Sequence, residues 1–472
     1  MLRTQDYLYQ EVANEIGNLI EKGEYKPNEK IPSLRTTKER YSISLATAVQ
    51  AYQILEERGV IESRPKSGYF VCNREPDRRY EPDVSRPAST PTPVNVAQLA
   101  MSLVTETRQT GLVKLGAAVP ESSLLPLGNL SRTMAGVARR HYLAPAAYAN
   151  VQGSKALRVQ IARLMREAGV QCGAEDIVIT NGCLEALTLA LRCVANRGDI
   201  IAIESPTYFG VLQVIESLGM KALEISTNVN SGVVVSALEQ ALSNRQIKAC
   251  MLMPSFNNPT GATMSEASKR QVVTLLEKHQ IPIIEDDVYG SLSYVLPRPK
   301  AIKSYDDTNN TLYCSSFSKT IAPGLRLGWI IPGKYIDEVK YQKFLDNIGT
   351  AIHSQLTMAE FLGKGSYRRT LRHASRVYHQ RMILFRNWIL EYFPTGTKIS
   401  DPQGGFLLWV ELPKRYQSQI IYRDAMKMKI AITPGILFSA QGQYKNHLRL
   451  SCGAVEGEKL RKAILKLSKI IA

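Results

Sequence analysis

Apolar side chains recur at three- and four-residue intervals from Tyr7 to Ile20 (Leu8, Val12, Ile16, Leu19, Ile20), the spacing that turns one helical face toward a core, and Gly23 ends the run. Pro27 and Pro32 bracket a short extended piece. Ser33 then precedes LRTTKERY and Ser44 precedes LATAVQAYQILEERG, whose helical pattern Gly59 closes. Both serines are expected as caps, because a hydroxyl accepts from the unpaired N–H groups of a first helical turn. The next segment, VIESRPKSGYFV, alternates apolar and polar positions on either side of Pro65, Lys66, Ser67 and Gly68, which predicts a hairpin. Helix, helix-turn-helix and hairpin in that order predict a winged helix-turn-helix.

Between Cys72 and Val96 the pattern lapses. NREPDRRYEPDVSRPASTPTPVN holds five prolines and little that could enter a core, so a semi-extended connector is expected between two independently folding parts. From about Gln98 onward, β-type runs (IVIT, IIAIE, ACMLMP, IPIIEDD, TLYCSS, LGWIIP) alternate with helical stretches. That alternation predicts an α/β fold with a mostly parallel central sheet. The expected organisation is therefore a reader over 1–74, a proline-rich linker and lead-in over 75–110, and a large domain over 111–472.

Composition narrows the classes. The chain has 472 residues, 44% hydrophobic and 21% charged, with no run of 18 apolar residues, which excludes small toxins and membrane-spanning proteins. The first residues, MLRTQDYLYQEVANEIG, lack the apolar stretch of a signal peptide, so a cytoplasmic protein is expected. Seven scattered cysteines without Cys-x-x-Cys spacing are expected as free thiols, not as a metal site. The formal charge of +17 suits an acidic partner such as nucleic acid. Residues 1–80 are nearly neutral, however, so a reader at the front must work by placement of charge. Between Gly363 and Arg386 there are seven basic residues and no acid, with Arg369, Arg372 and Arg376 at helical spacing. That face is either solvated or an auxiliary contact for a DNA backbone.

The chemistry concentrates in YCSSFSKTIAPGLRLGWI, where a β-type run delivers Lys319 among Ser316, Pro323, Gly324 and Arg326. A lysine held among cations and partly desolvated loses basicity and becomes a nucleophile toward an aldehyde, while a serine and an arginine suit a phosphate. Around it stand Asp286 and Tyr289 in IPIIEDDVYG, Asn258 in SFNNPTG, Tyr208 in SPTYFG, and Gly182, Cys183 and Leu184 in TNGCLEAL.

Residues 26–71 resemble the GntR family of bacterial winged-helix regulators in the elements P-S-x-R, S-x-x-T, A-Y-x-x-L-E-x-x-G and S-G-x-F/Y-V. The resemblance implies operator DNA as a partner, with Ser44 and Thr47 offered to the major groove, Arg35 to a phosphate or base edge, and Lys66, Ser67 and Gly68 in the wing. Leu45 stands where that family usually has arginine.

Residues 111–472 resemble class I/II aminotransferases, fold-type I enzymes that bind pyridoxal 5'-phosphate. By that resemblance Lys319 forms the internal aldimine and Asp286 pairs with the pyridine nitrogen. Asn258 and Tyr289 bond the ring's phenolic oxygen, Tyr208 stacks on the ring, and Gly182, Cys183, Leu184, Ser316 and Arg326 hold the phosphate. Arg449 in NHLRLSCG matches the arginine that clamps a substrate carboxylate, and Tyr148 matches a tyrosine reaching the phosphate of a partner subunit, which implies a domain-swapped homodimer. Together the two halves resemble the MocR subfamily, which implies a regulator sensing an amino compound by aldimine exchange on Lys319. A working aminotransferase with a DNA-binding appendage, or an architectural DNA-binding protein that uses the cofactor only for folding, are the competing readings.

Overall fold

The computed structural model describes all residues except 1–7, 22, 27, 58–59, 65–66, 72–80, 107–109, 245, 456 and 472. The chain divides into two compact units, Met1–Arg79 and Tyr80–Ala472.

The small unit has three helices, α1 (Leu8–Glu21), α2 (Leu34–Tyr41) and α3 (Leu45–Glu57), followed by strands β1 (Ile61–Arg64) and β2 (Gly68–Val71). Val12 and Ile16 of α1 pack on Ala48, Ala51, Tyr52 and Leu55 of α3, so the predicted apolar stripes face each other. Both caps form: Ser33 Oγ accepts from Thr36 N at 3.2 Å and Ser44 Oγ from Thr47 N at 3.0 Å. The buried Tyr52 hydroxyl donates to Pro32 O at 2.6 Å and meets Thr37 Oγ1 at 2.7 Å, which ties the approach to α2 onto α3. β1 and β2 pair antiparallel from Ile61–Val71 to Arg64–Gly68. Gly68 adopts φ +102°, a conformation that costs glycine little, where the hairpin reverses.

In the large unit the main sheet runs, edge to edge, Thr92–Pro93, Lys221–Asn228, Ile200–Ser205, Ile247–Leu252, Ile283–Asp286, Thr311–Ser316, Gly328–Ile331 and Val178–Thr180. The five strands from Lys221–Asn228 to Thr311–Ser316 are mutually parallel, while Gly328–Ile331 is antiparallel to both its neighbours. Ile201 and Ile203 pack under the helices Cys183–Val194 and Phe209–Ser217, and Ala202 faces the opposite layer with Val272 and Leu276. Burial on both faces explains why these strands read as continuous apolar runs. A second, antiparallel sheet (Lys398–Ile399, Leu407–Glu411, His447–Ser451, Thr433–Pro434) shares its core with the helices Tyr367–Tyr392 and Gly457–Ile471.

The connector expectation needs correction. Residues 81–106 belong to the large unit: Thr92–Pro93 is an edge strand antiparallel to Lys221–Ala222, Val94 and Val96 are buried in the main core, and Ala97–Glu106 is a helix whose Ala100 is fully buried. Proline lacks an N–H and so tolerates an edge strand, and two valines and an alanine suffice to seat the segment. Residues 72–80 of the expected connector lie outside the described residues.

Candidate cofactor and ligand site

Strands Ile283–Asp286 and Thr311–Ser316 lie side by side with Asp286 opposite Cys314, so their carboxyl ends deliver chemistry to one place. Alternation sorts the three consecutive acids. Glu285 accepts from Ile302 N and Lys303 N, Asp287 accepts from Arg298 at 2.5 Å and the Tyr313 hydroxyl at 2.7 Å, and Asp286 alone meets Cys183 Sγ, at 3.5 Å. Burial raises the Asp286 carboxyl to about 6, against the donations from Val288 N and Cys183. A cationic ring nitrogen would restore its charge.

One turn beyond the second strand, Lys319 Nζ donates to Ala118 O at 2.6 Å and lies 5.7 Å from the Tyr289 ring centre. Burial, helped by the Arg449 charge, lowers its amine to about 8. The Tyr289 hydroxyl is buried without a partner among the described residues, and its ring stands edge-on to Phe406. Arg449, in strand His447–Ser451, is buried and donates to Asn258 Oδ1 at 3.0 Å, Gly116 O at 2.5 Å and Thr433 Oγ1 at 3.2 Å, with its guanidinium 5.1 Å from the Phe438 ring centre. Burial lowers the pKa of this guanidinium, so an anion brought against it is strongly favoured.

An anion cradle completes the arrangement. Helix Cys183–Val194 begins behind Gly182, whose φ of +91° suits glycine. A side chain there would also meet Arg326, a Cβ lying 2.6 Å from Nη2, and a Cβ on Gly328 would lie 2.6 Å from the Gly182 carbonyl carbon and 2.9 Å from Cys183 N. The two glycines let the arginine and the free N–H groups of the helix start converge on one spot. Leu184 is exposed there, and Ser316 Oγ accepts from Ser318 N. Tyr208 heads helix Phe209–Ser217, and Gly210 leaves room for its ring.

Pyridoxal phosphate fits these residues. Lys319, an amine of lowered basicity, would meet its aldehyde, Asp286 its ring nitrogen, the orphaned Tyr289 hydroxyl and Asn258 its phenolic oxygen, and the cradle its phosphate. Tyr148, by contrast, is 86% exposed and outside this cleft within the chain. Gly116, Ala118, Thr433 and Gly328 escaped sequence reasoning. Gly116 and Ala118 act through backbone carbonyls in the turn and loop after Val113–Lys114, Thr433 through a single hydroxyl in a two-residue strand, and only the glycine in GLRLGWI hinted at Gly328.

In the small unit, Arg35 and Ser44 are exposed on α2 and at the start of α3, with Thr47 half-buried. The Ser44 and Thr47 hydroxyls already bond each other at 2.8 Å. Ser67 and Gly68 are exposed at the hairpin tip, and Lys66 lies outside the described residues.

Fold and site thus define a fold-type I domain of the kind that binds pyridoxal phosphate. Residues 144–467 match the family model for aminotransferase class I and II, and residues 8–71 that for bacterial regulatory proteins of the gntR family. The chain is 38% identical to the HTH-type transcriptional regulator YjiR of Escherichia coli over 98% of both chains, and 28% identical to the HTH-type transcriptional regulator NorG of Staphylococcus aureus over 93% of this chain and 98% of that one. A kynurenine aminotransferase structure from Pyrococcus horikoshii superposes with TM-score 0.74 at 27% identity, covering 79% of this chain and 94% of that one. The chain belongs to the class I and II aminotransferase family and, within it, to the MocR type, in which a gntR-family DNA-binding module precedes the aminotransferase domain.

Proposed function

We propose that this protein is a DNA-binding transcriptional regulator whose large unit senses an amino compound through its pyridoxal phosphate site, in the cytoplasm and as a homodimer. The observation that carries the reading is the convergence of Lys319, Asp286, Tyr289 and Arg449 on one cleft of a chain that also folds an independent reader module. When bound, pyridoxal phosphate supplies an aldehyde that bonds amines and a ring that withdraws electrons.

The chain's own residues set what can enter. Arg449 offers a planar pair of N–H donors to a carboxylate, a geometry a lysine does not reproduce. Phe438 and Phe209 flank that guanidinium and keep water from it. Lys319 Nζ, at about 8, is neutral in an appreciable fraction of molecules near physiological pH and so is able to hold or release a proton at that atom. A ligand then shifts the protein only by as much as it prefers one arrangement over another.

Arg35, Ser44, Thr47, Lys66, Ser67 and Gly68 are the residues we assign to operator contact, through backbone positioning first and base edges second. A second copy of the chain is supported by exposed apolar side chains, Tyr142, Leu143 and Tyr148 in one segment and Tyr341, Phe344 and Leu345 on helix Ile336–Asn347.

The test is an absorbance titration of the purified protein with candidate amines, run beside a binding assay on its own upstream DNA. The regulator reading expects an amine-dependent spectral change that alters DNA binding without sustained keto-acid release. Steady keto-acid production with no effect on DNA would favour the working aminotransferase, which the full set of Lys319, Asp286, Tyr208 and Arg449 equips chemically. Lys319→Ala should abolish the visible band of the loaded protein, and a normal band would place the anchor on another lysine.

A further inference from the structure

Behind the site, the carboxylate of Glu224 is a junction that neither the cofactor nor the ligand clamp uses. It is 3% exposed in strand Lys221–Asn228 and accepts from Ser205 Oγ at 2.5 Å, Ser439 Oγ at 2.8 Å, Ala440 N at 2.5 Å and Gln441 N at 3.3 Å. Burial raises its pKa while these four donors oppose the rise. The donors come from two segments that border the cleft. Ser205 begins the turn that carries Tyr208, and Ser439 follows Phe438, whose ring lies against Arg449. The two segments are also joined directly, Thr207 N donating to Phe438 O at 3.0 Å.

The same junction grips the chain that leads from the reader. Ser205 N donates to Thr227 Oγ1 at 3.2 Å, and Thr227 exchanges two bonds with Ser85, its N donating to Ser85 Oγ at 2.7 Å and its carbonyl accepting from Ser85 N at 3.1 Å. Gln441, whose main chain donates to Glu224, uses its side-chain amide as a two-way clamp on Ala88: Oε1 accepts from Ala88 N and Nε2 donates to Ala88 O, both at 3.0 Å. The segment carrying Ser85 and Ala88 is thus joined to Glu224 by two separate routes, two hydrogen bonds long through Gln441 and three through Ser205 and Thr227.

We propose that Glu224 is a positioning residue that couples occupancy of the Arg449 end of the cleft to the hold on residues 83–93, and so to the reader that this segment tethers. The proposal rests on the sensing function above and names its route. A carboxylate pulled against Arg449 changes the packing of Phe438 and the turn before Tyr208. Because both segments hydrogen-bond the same buried carboxylate, neither moves without altering how Gln441 and Thr227 grip Ala88 and Ser85. A side chain that accepts four donors in a buried place has few alternative arrangements, which makes it a stiff transmitter.

The experiment compares the full-length protein loaded with pyridoxal phosphate and the same protein loaded with N-(5'-phosphopyridoxyl)-L-leucine, a stable adduct that carries a carboxylate for Arg449 and leaves Lys319 unbonded. Amide hydrogen exchange of peptides spanning 81–96 and affinity for the protein's own upstream DNA are read in both states. In the parent chain, exchange in 81–96 should differ severalfold between the two loadings. In Gln441→Ala and in Glu224→Gln that difference, and the accompanying change in DNA affinity, should fall toward none while both ligands still load. Parent-like differences in the two variants, or no difference in the parent, would overturn the proposal. Should Glu224→Gln fail to fold, Gln441→Ala alone decides, since its side chain is only half-buried. Failure of the parent to take up pyridoxal phosphate at all would instead sink the sensing function itself.

Discussion

Lys319 and Asp286 each sit where burial disfavours the charged form, which readies the amine for an aldehyde and leaves the carboxyl in want of a cation. The unfolded chain keeps the lysine proton up to its ordinary 10.5, whereas the folded protein without cofactor gives it up from about 8. The unfolded state binds more protons between those values, so stability rises with pH across that window, and below 8 the whole penalty, on the order of 3 kcal/mol, is present. For Asp286 the folded state holds its proton up to about 6 against an ordinary 3.8, so stability falls as pH climbs between them. Lys319→Met should therefore raise the thermal midpoint of cofactor-stripped protein at pH 7 by several degrees, with a smaller gain at pH 9.5. A lowered midpoint at pH 7 would mean the amine is better accommodated than its surroundings suggest. Gly328→Ala is expected to push the Gly182 and Cys183 backbone aside and raise the Kd for pyridoxal phosphate at least tenfold, about 1.4 kcal/mol, in a fluorescence titration. These residues were legible because each follows a β-type run or opens a helix in a short string. Gly116 and Ala118 were not, since what they contribute is a carbonyl oxygen, which every residue has.

Among elements, the long helix Tyr367–Tyr392 tests how far a charge pattern can be read. Arg368 and Arg381 of its basic run pair with Glu167 and Glu121 from other elements, which the sequence order could not foretell. Arg369, Arg372 and Arg376 remain exposed along one face, and Arg369 and Arg372 make no ion pair among the described residues. If all three lie on DNA phosphates, changing them together to glutamine should lower the salt dependence of operator binding by a slope of about 2.7, and an unchanged slope would return them to plain solvation. The helices and hairpin of the reader followed from apolar spacing and two serine caps. The edge strand at Thr92–Pro93 did not, because two residues cannot display a period and proline ordinarily argues against a ladder.

At the scale of the molecule, two units matched by different family models share one chain, and the order of elements was enough to separate them. What order could not supply is where the large unit begins, because that depends on Val94, Val96 and Ala100 finding slots among residues more than a hundred positions away. Assembly belongs to this scale too. Phe344→Glu together with Leu345→Glu should shift sedimentation from dimer to monomer and weaken retention of pyridoxal phosphate, while a dimer of parental strength would move the interface elsewhere. Among the described residues no helix is long and apolar enough to cross a membrane. The docking of residues 81–106 has a practical corollary for anyone dissecting the molecule. A fragment cut at 111 would lose the border strand, leave Lys221–Asn228 with unsatisfied amides, and open greasy notches in the interior, inviting sheet-to-sheet clumping. Severed at 80 or earlier, the same fragment keeps its selvedge.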